Sequence, residues 1–334
     1  MQHSGNLSCY RLLTQRLDTA PLVYVELGDV LDTDLVVSTM QVLYCSQIQQ
    51  GRDSPYSYHG RTDRLRVNIS PSRRSSVSRF EIKDKVAVVT GGAGGIGTCI
   101  SQAYANAGAK VVVASRNQEN LDKVAAEIVE SGGEAMAVVV DITKPEQVDK
   151  LIAATVDKYG SLDIMVNNAG GGSRMQKAED TPYDEWVRLI DFNLTGTFIC
   201  CMAAGKQMIK QKGGNIINIS SIAGTKGNPG MLHYSAAKAG VNSLTNNLAF
   251  MWSGHNIRVN CILPGLIATP LLRQYKVIPP DTDKDGNPVP RLSLPPEPEE
   301  VADLALFLAS DASEGITGEQ IPIRRWMRSE RHWE

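Results

Sequence analysis

The sequence predicts a doubly wound α/β fold, and three observations predict it. Short apolar runs alternate with amphipathic stretches over most of the chain, several of those runs are apolar throughout, and a glycine cluster closes the first run and opens a helix. Strands that alternate with helices form a parallel sheet covered on both faces. Runs such as Val111–Val113 offer no polar alternate position and suit burial on both sides.

The elements follow in order from Phe80. Lys85–Thr90 reads as the first strand, followed by glycines and a helix-like run to Ala107. Val111–Ala114 is a second strand, Leu121–Glu130 a helix, Ala135–Val140 a third strand, Val148–Lys158 a helix and Leu162–Val166 a fourth strand. Helical stretches at Tyr183–Phe198 and Cys201–Lys212 lead to strand Asn215–Ile219. A long helix from Tyr234 to about Trp252 precedes strand Arg258–Ile262.

Residues 1–79 lack this regularity. Between Arg61 and Arg79 the chain carries six arginines, several serines and one acid, Asp63. Such a composition marks some organelle-targeting segments, but those begin at the N-terminus. The expectation is a disordered extension or an upstream start that is not the natural one, ahead of one main domain over residues 80–334. The apolar run Ala20–Cys45 is interrupted by Glu26, Asp29, Asp32 and Asp34, so it is read neither as a membrane span nor as a secretory signal.

Bulk composition narrows the partners. A net charge of −2 gives no reason to expect nucleic acid or an anionic membrane. The six cysteines (Cys9, Cys45, Cys99, Cys200, Cys201 and Cys261) show neither C-x-x-C spacing nor nearby histidine pairs. No metal site or disulfide framework is expected, and a reducing, cytoplasmic compartment is.

The glycine cluster is Thr90-Gly91-Gly92-Ala93-Gly94-Gly95-Ile96-Gly97. Glycines let the backbone approach a pyrophosphate, while a helix N-terminus supplies free N–H groups and the positive end of a dipole. Strand, turn and helix all being present, a dinucleotide site is expected rather than a mere tight turn. The second strand runs out into Ser115-Arg116-Asn117, where an NAD enzyme would place an acid for the adenosine ribose. A hydroxyl and a guanidinium suit a 2′-phosphate, so NADP(H) is preferred and NAD(H) remains the alternative. The competing reading of Arg116 is a solvated residue at a helix start, where the dipole disfavours it.

Tyr234-Ser235-Ala236-Ala237-Lys238 sets a phenol and an ammonium on one helix face. A free tyrosine, with a pKa of about 10, exchanges protons poorly near neutrality, and a nearby cation should lower that value. Alone, this spacing also fits an ordinary amphipathic helix. Upstream, Asn218-Ile219-Ser220-Ser221 ends a strand; Asn167-Asn168-Ala169-Gly170 follows the fourth strand and Pro264-Gly265 the sixth.

With the glycine turn, these motifs resemble the short-chain dehydrogenase/reductase family, β-ketoacyl-reductase-like members among them, in order and spacing, from about Phe80 to Gly318. The resemblance implies a Rossmann-type fold and hydride transfer between a nicotinamide and a carbonyl or carbinol carbon. It implies Tyr234 as general acid/base, Ser221 rather than Ser220 on the substrate oxygen, Lys238 on the nicotinamide ribose, and Asn193 supporting a proton-relay water. Cofactor contacts are implied for Thr90, Gly91, Gly92, Gly95, Ile96, Gly97, Ser115, Arg116, Asp141, Ile142, Asn167, Ala169, Gly170, Pro264, Gly265, Ile267 and Thr269, besides Tyr234 and Lys238. His233 and the pair Cys200 and Cys201 are read as packing residues.

The pattern breaks after Ile316-Thr317-Gly318. Where the family continues into a last strand ending Asp-Gly-Gly, this chain reads Glu319-Gln320-Ile321-Pro322-Ile323-Arg324-Arg325-Trp326. The change is as abrupt as a shifted reading frame or altered splice would make it. The family resemblance implies a homo-oligomer, a dimer or tetramer, unless this tail prevents it. A substrate segment is expected between Gly265 and Glu299, apolar at Leu266, Leu271, Leu272 and Tyr275. A small carbonyl or alcohol substrate follows, a 3-oxoacyl thioester first. A polyol, sugar or hydroxysteroid is the alternative, and a dinucleotide-binding protein without turnover is the alternative of another class.

Overall fold

A computed structural model describes residues 77–172 and 175–325. Of the extension expected over residues 1–79, residues 1–76 lie outside the described residues, as does the tail beyond Arg325, while Val77–Phe80 form one short 3-10 turn. Within them, seven parallel strands form one sheet in the order β3-β2-β1-β4-β5-β6-β7. The strands are β1 (Val86–Thr90), β2 (Lys110–Ser115), β3 (Glu134–Val139), β4 (Ile164–Asn167), β5 (Gly214–Ile219), β6 (Ile257–Pro264) and β7 (Gln320–Ile323). The order reverses between β1 and β4, so their C-terminal ends leave the crevice where ligands bind in such sheets. The sequence-predicted strands and helices differ from these bounds by a few residues at most, where end turns fray and side chains carry no sharp signal.

Helices cover both faces. One layer holds α1 (Ile96–Asn106), α2 (Gln118–Glu130) and α8 (Pro298–Ala309), whose Ile100, Leu121 and Leu308 share one buried cluster with Val89, Val111 and Ile217. In the other, α3 (Pro145–Tyr159), α5 (Gly196–Gln211) and α6 (Leu232–Trp252) pack Leu151, Cys201 and Leu248 against Val88, Met165 and Ile216. The alternate strand residues separate cleanly between the two clusters, as the period of two requires. Fully apolar strands therefore feed two cores at once.

The two helical stretches expected around residue 200 are one continuous helix. α4 (Tyr183–Ile190) runs through a π-helical segment, Asp191–Thr195, into α5 without a break. Gly196 does not stop the helix; a side chain there would stand 2.7 Å from the Ile142 Cδ1 atom, so glycine answers to packing. This helix, Tyr183–Gln211, is long and apolar enough to cross a membrane by length and composition alone. Its buried Cys200, Cys201, Ala204 and Met208 belong to the core, which accounts for that hydropathy within the fold. Ser253–His255 then closes α6, and a short helix α7 (Pro270–Gln274) follows β6.

Candidate active site

The crevice is a groove of about 760 Å³ running across the β1/β4 switch. Its floor is the glycine turn. Gly91 and Gly95 adopt φ of +63° and +45°, a region open to glycine at little cost. A side chain at Gly97 would stand 2.1 Å from the Gly91 carbonyl oxygen, so the first turn of α1 sits directly on the loop. Gly94 faces open space, and α1 begins without a side-chain cap, which leaves its N-terminal amides for a ligand.

Neighbouring strand ends hold the turn. The Asn168 side-chain amide donates to the Thr90 and Gly91 carbonyls at 3.0 and 3.1 Å. The Thr90 hydroxyl accepts from the Asn168 and Ala169 amides at 3.1 and 3.2 Å, while donating to the Val166 carbonyl. These bonds stitch β1 to β4 where the dinucleotide would cross. At the far wall Arg116 lies over the Phe192 ring, 5.2 Å from its centroid, a cation–π contact. Among the residues lining the groove, Arg116 and Lys238 are cationic and none is a carboxylate.

Ser221, Tyr234 and Lys238 meet at the other end. The Ser221 hydroxyl lies beside the Tyr234 phenol, donating to the Pro264 carbonyl at 3.4 Å and accepting from the Ala223 amide at 3.1 Å, whereas Ser220 is turned away and donates to the Lys238 carbonyl at 3.0 Å. Lys238 is buried, with Nζ donating to the Ile219 carbonyl at 2.9 Å and standing 5.7 Å from the Tyr234 ring centroid. Burial pushes the Lys238 pKa down to about 8. Burial also pushes the Tyr234 phenol above its ordinary value, and Ser221 only partly opposes it. This corrects the expectation that the lysine charge would hold the tyrosine low: among the protein's own groups desolvation wins. Asn193 sits in the π segment, fully buried; its Oδ1 accepts from the Gly171 amide at 3.0 Å and its amide donates to the Gly171 and Leu189 carbonyls. The extra residue of a π turn is often found at functional sites. A side chain at Gly170 would come within 2.8 Å of Asn193 Oδ1 and 3.1 Å of Lys238 Nζ, so only glycine keeps those groups together.

Gly91, Gly95, Ile96, Ser115, Arg116, Ile142, Ala169, Gly170, Pro264, Gly265, Ile267 and Thr269 line the groove with Ser221, Tyr234 and Lys238. Six expected residues do not. Thr90, Gly92, Gly97 and Asn193 support the walls from behind. Asp141 is turned onto Thr143, whose backbone N–H holds its carboxyl below the usual range, helped by the Arg116 and Lys144 charges. Asn167 points into the core and donates to Asn218 Oδ1 at 2.8 Å and to the Cys201 sulfur at 3.2 Å. As the last residue of β4 it shares the face of Met165, under α5, and the strand period alone would have shown this. Asn168, Phe192 and Gly94 were missed as wall residues. Asn168 carried a signal, being the first residue past that strand end; Phe192 carried none without knowledge of the π segment.

His233 is fully buried, with Nε2 3.9 Å from Glu185 Oε1 and 3.5 Å from the Gln176 amide, away from the reacting groups.

Residues 85–277 match the family model described as short chain dehydrogenase. The chain belongs to that family. It is thus an oxidoreductase acting between CH–OH and C=O groups with a nicotinamide dinucleotide, and the reading without turnover is not favoured. A 3-oxoacyl-[acyl-carrier-protein] reductase of Synechocystis sp. is 42% identical over 246 residues, 72% of this chain and 95% of that protein. An NAD-dependent glycerol dehydrogenase of Listeria innocua is 40% identical over 73% of this chain and 94% of its own length. Among solved structures, a 7α-hydroxysteroid dehydrogenase complexed with NADH and 7-oxo glycochenodeoxycholic acid aligns with a TM-score of 0.67 at 33% identity, covering 75% of this chain and 96% of that one.

Proposed function

We propose that this short-chain dehydrogenase is an NADP(H)-dependent reductase of 3-oxoacyl thioesters. One observation carries the cofactor preference: the groove wall holds Arg116, with Ser115 beside it at the end of β2, and no carboxylate. A carboxylate there would accept the ribose 2′-hydroxyl and repel a 2′-phosphate; a guanidinium does the reverse. The glycine turn and α1 N-terminus fit the pyrophosphate, and Gly170, with no room for a side chain against Asn193 and Lys238, keeps the groove wall bare beside the lysine.

When bound, the nicotinamide supplies the hydride. The chain's groups do the rest. Tyr234, kept protonated by burial, is suited to donate its proton to the carbonyl oxygen as negative charge develops there. Ser221, beside the phenol, is placed to turn its single O–H to the same oxygen. Lys238 binds ribose hydroxyls, and Asn193 carries the relay that returns the proton. A raised tyrosine pKa keeps the phenol protonated near neutrality, the form that reduction requires.

The thioester assignment is supported by the Synechocystis relative and by an apolar approach made of Leu271 and Leu272 beside the small residues Gly170 and Gly171. Exposed Phe250 and Met251, near the β7 edge, support assembly as a dimer or tetramer, and the free thiols of Cys99, Cys200, Cys201 and Cys261 support a cytoplasmic setting. The deciding experiment compares Arg116→Ser with the parent. Loss of one charge-assisted contact, about 1.5–3 kcal/mol, should weaken NADPH binding roughly ten- to hundredfold and leave NADH binding unchanged. Equal affinities for both cofactors in the parent would overturn the preference. Turnover of glycerol or a steroid alcohol, but not of a 3-oxoacyl thioester, would replace the substrate.

A further inference from the structure

The chain leaves the sheet at Gly265 and returns to it through α8. Between them, Ile267 and Ala268 are buried, α7 lays Leu271, Leu272 and Gln274 on the groove, residues 275–290 are exposed almost throughout, and Pro295, Pro296 and Pro298 are buried again. Both shoulders of this excursion are tied to one place, the capping box that starts α8. There Glu300 accepts the Glu297 backbone N–H at 2.8 Å, and the Glu297 side chain takes a backbone amide in return. On the outgoing shoulder, Arg273 donates to Glu297 at 2.5 Å and to the Ala268 carbonyl at 3.2 Å. On the returning shoulder, Arg291 stands 3.5 Å from Glu300.

The remaining tie comes from the terminus that departs from the family pattern. β7 pairs with the end of β6, and the Gly265 amide donates to the Ile323 carbonyl at 2.9 Å, so the strand finishes beside the first residue of the excursion. Two residues on, Arg325 donates to the Arg291 carbonyl at 3.0 Å and pairs with Glu300 through its other nitrogen. Its side chain is only 12% exposed. We propose that Arg325 is a positioning residue for substrate: it clips the returning shoulder of the segment whose outgoing shoulder lines the groove onto the α8 capping box. A guanidinium can bridge a carbonyl and a carboxylate at once; an ammonium has no such fork. The divergent tail thus performs a task that the sequence pattern alone left without a role.

The inference rests on residues 266–297 covering the substrate, and the test separates the two ideas. Arg325→Ala, Arg325→Lys and Glu300→Gln are made in the full chain. Hydrogen exchange over residues 276–294 needs no substrate and should quicken in Arg325→Ala and Glu300→Gln. With saturating NADPH and a 3-oxoacyl thioester, Arg325→Ala should raise KM about three- to tenfold, as loss of a charged hydrogen bond at a part-buried site implies, with kcat and NADPH affinity within about twofold. Lysine should restore part of the KM. About 0.5 M salt should raise the KM of the parent more than that of Arg325→Ala. Unchanged exchange and KM would overturn the proposal, as would parallel losses in kcat, cofactor affinity and melting temperature, which would assign Arg325 to the sheet edge alone. Faster exchange in an enzyme that turns over no thioester would leave the clip standing and remove the substrate reading.

Discussion

The two ends of the groove are built differently. The cofactor end is backbone and buried polar groups: glycines with no room for a side chain, amides closed on Thr90 and Asn168, and Asn193 wedged under Gly170 and Lys238. The substrate end is an exposed excursion whose shoulders hang on arginine–glutamate pairs, two of them centred on Glu300. Buried networks tolerate little change because an orphaned group inside costs its full desolvation, whereas exposed pairs are individually weak. The same protein thus joins a rigid end that sets the chemistry to an adjustable end that sets the substrate.

That contrast can be broken or sharpened by substitution. The largest effect belongs to Tyr234→Phe, which removes the proton donor and should lower kcat by roughly 100- to 10,000-fold while cofactor affinity, read by nicotinamide fluorescence, stays near the parent's. A variant that turned over normally would refute the acid/base assignment. Next comes Gly97→Ala. Its methyl would enter the Gly91 carbonyl, and overpacking of this kind costs about 1–3 kcal/mol or more. Thermal unfolding should move down and dinucleotide binding should fail before catalysis is even tested. An alanine that binds NADPH normally would show that the rigid end can yield.

A smaller effect is expected from pH. The Lys238 pKa lies at about 8 in the protein's own field, and ribose hydroxyls with a nearby pyrophosphate would raise it. The bound state then holds more protons than the free one above that value, so NADPH affinity should fall as pH rises through about 8 and be flat just below it. Titrations in Lys238→Met should lose this slope. The smallest effect is at the adjustable end: Leu272→Ala should raise KM for an apolar carbonyl substrate about fivefold, the loss of about 1 kcal/mol of apolar contact, with kcat unchanged.

The same division explains what could be read from the sequence. The strand–turn–helix at Thr90–Gly97 and the spacing of Ser221, Tyr234 and Lys238 were legible because local geometry dictates them: a strand end, a helix start, one face of one helix. Asn167 misled because an amide in a motif reads as a ligand contact, when strand parity had turned it toward Cys201. Phe192 could not be found, since its place on the wall depends on a π turn that no periodicity announces. The raised Tyr234 pKa was equally hidden: the sequence shows the lysine four residues on, whereas the shift comes first from burial, a property of the whole fold, only partly opposed by Ser221. Least legible was Arg325, whose partners Arg291 and Glu300 lie far back in the chain and carry no motif.

The central claim is that a groove wall carrying Arg116 and no carboxylate selects the phosphorylated cofactor, and parallel titrations of the full chain with NADPH and NADH, followed by nicotinamide fluorescence, test it most directly. NADPH should bind tighter by roughly ten- to hundredfold, a margin that shrinks with added salt because it is electrostatic. Equal binding, or tighter binding of NADH, would contradict it.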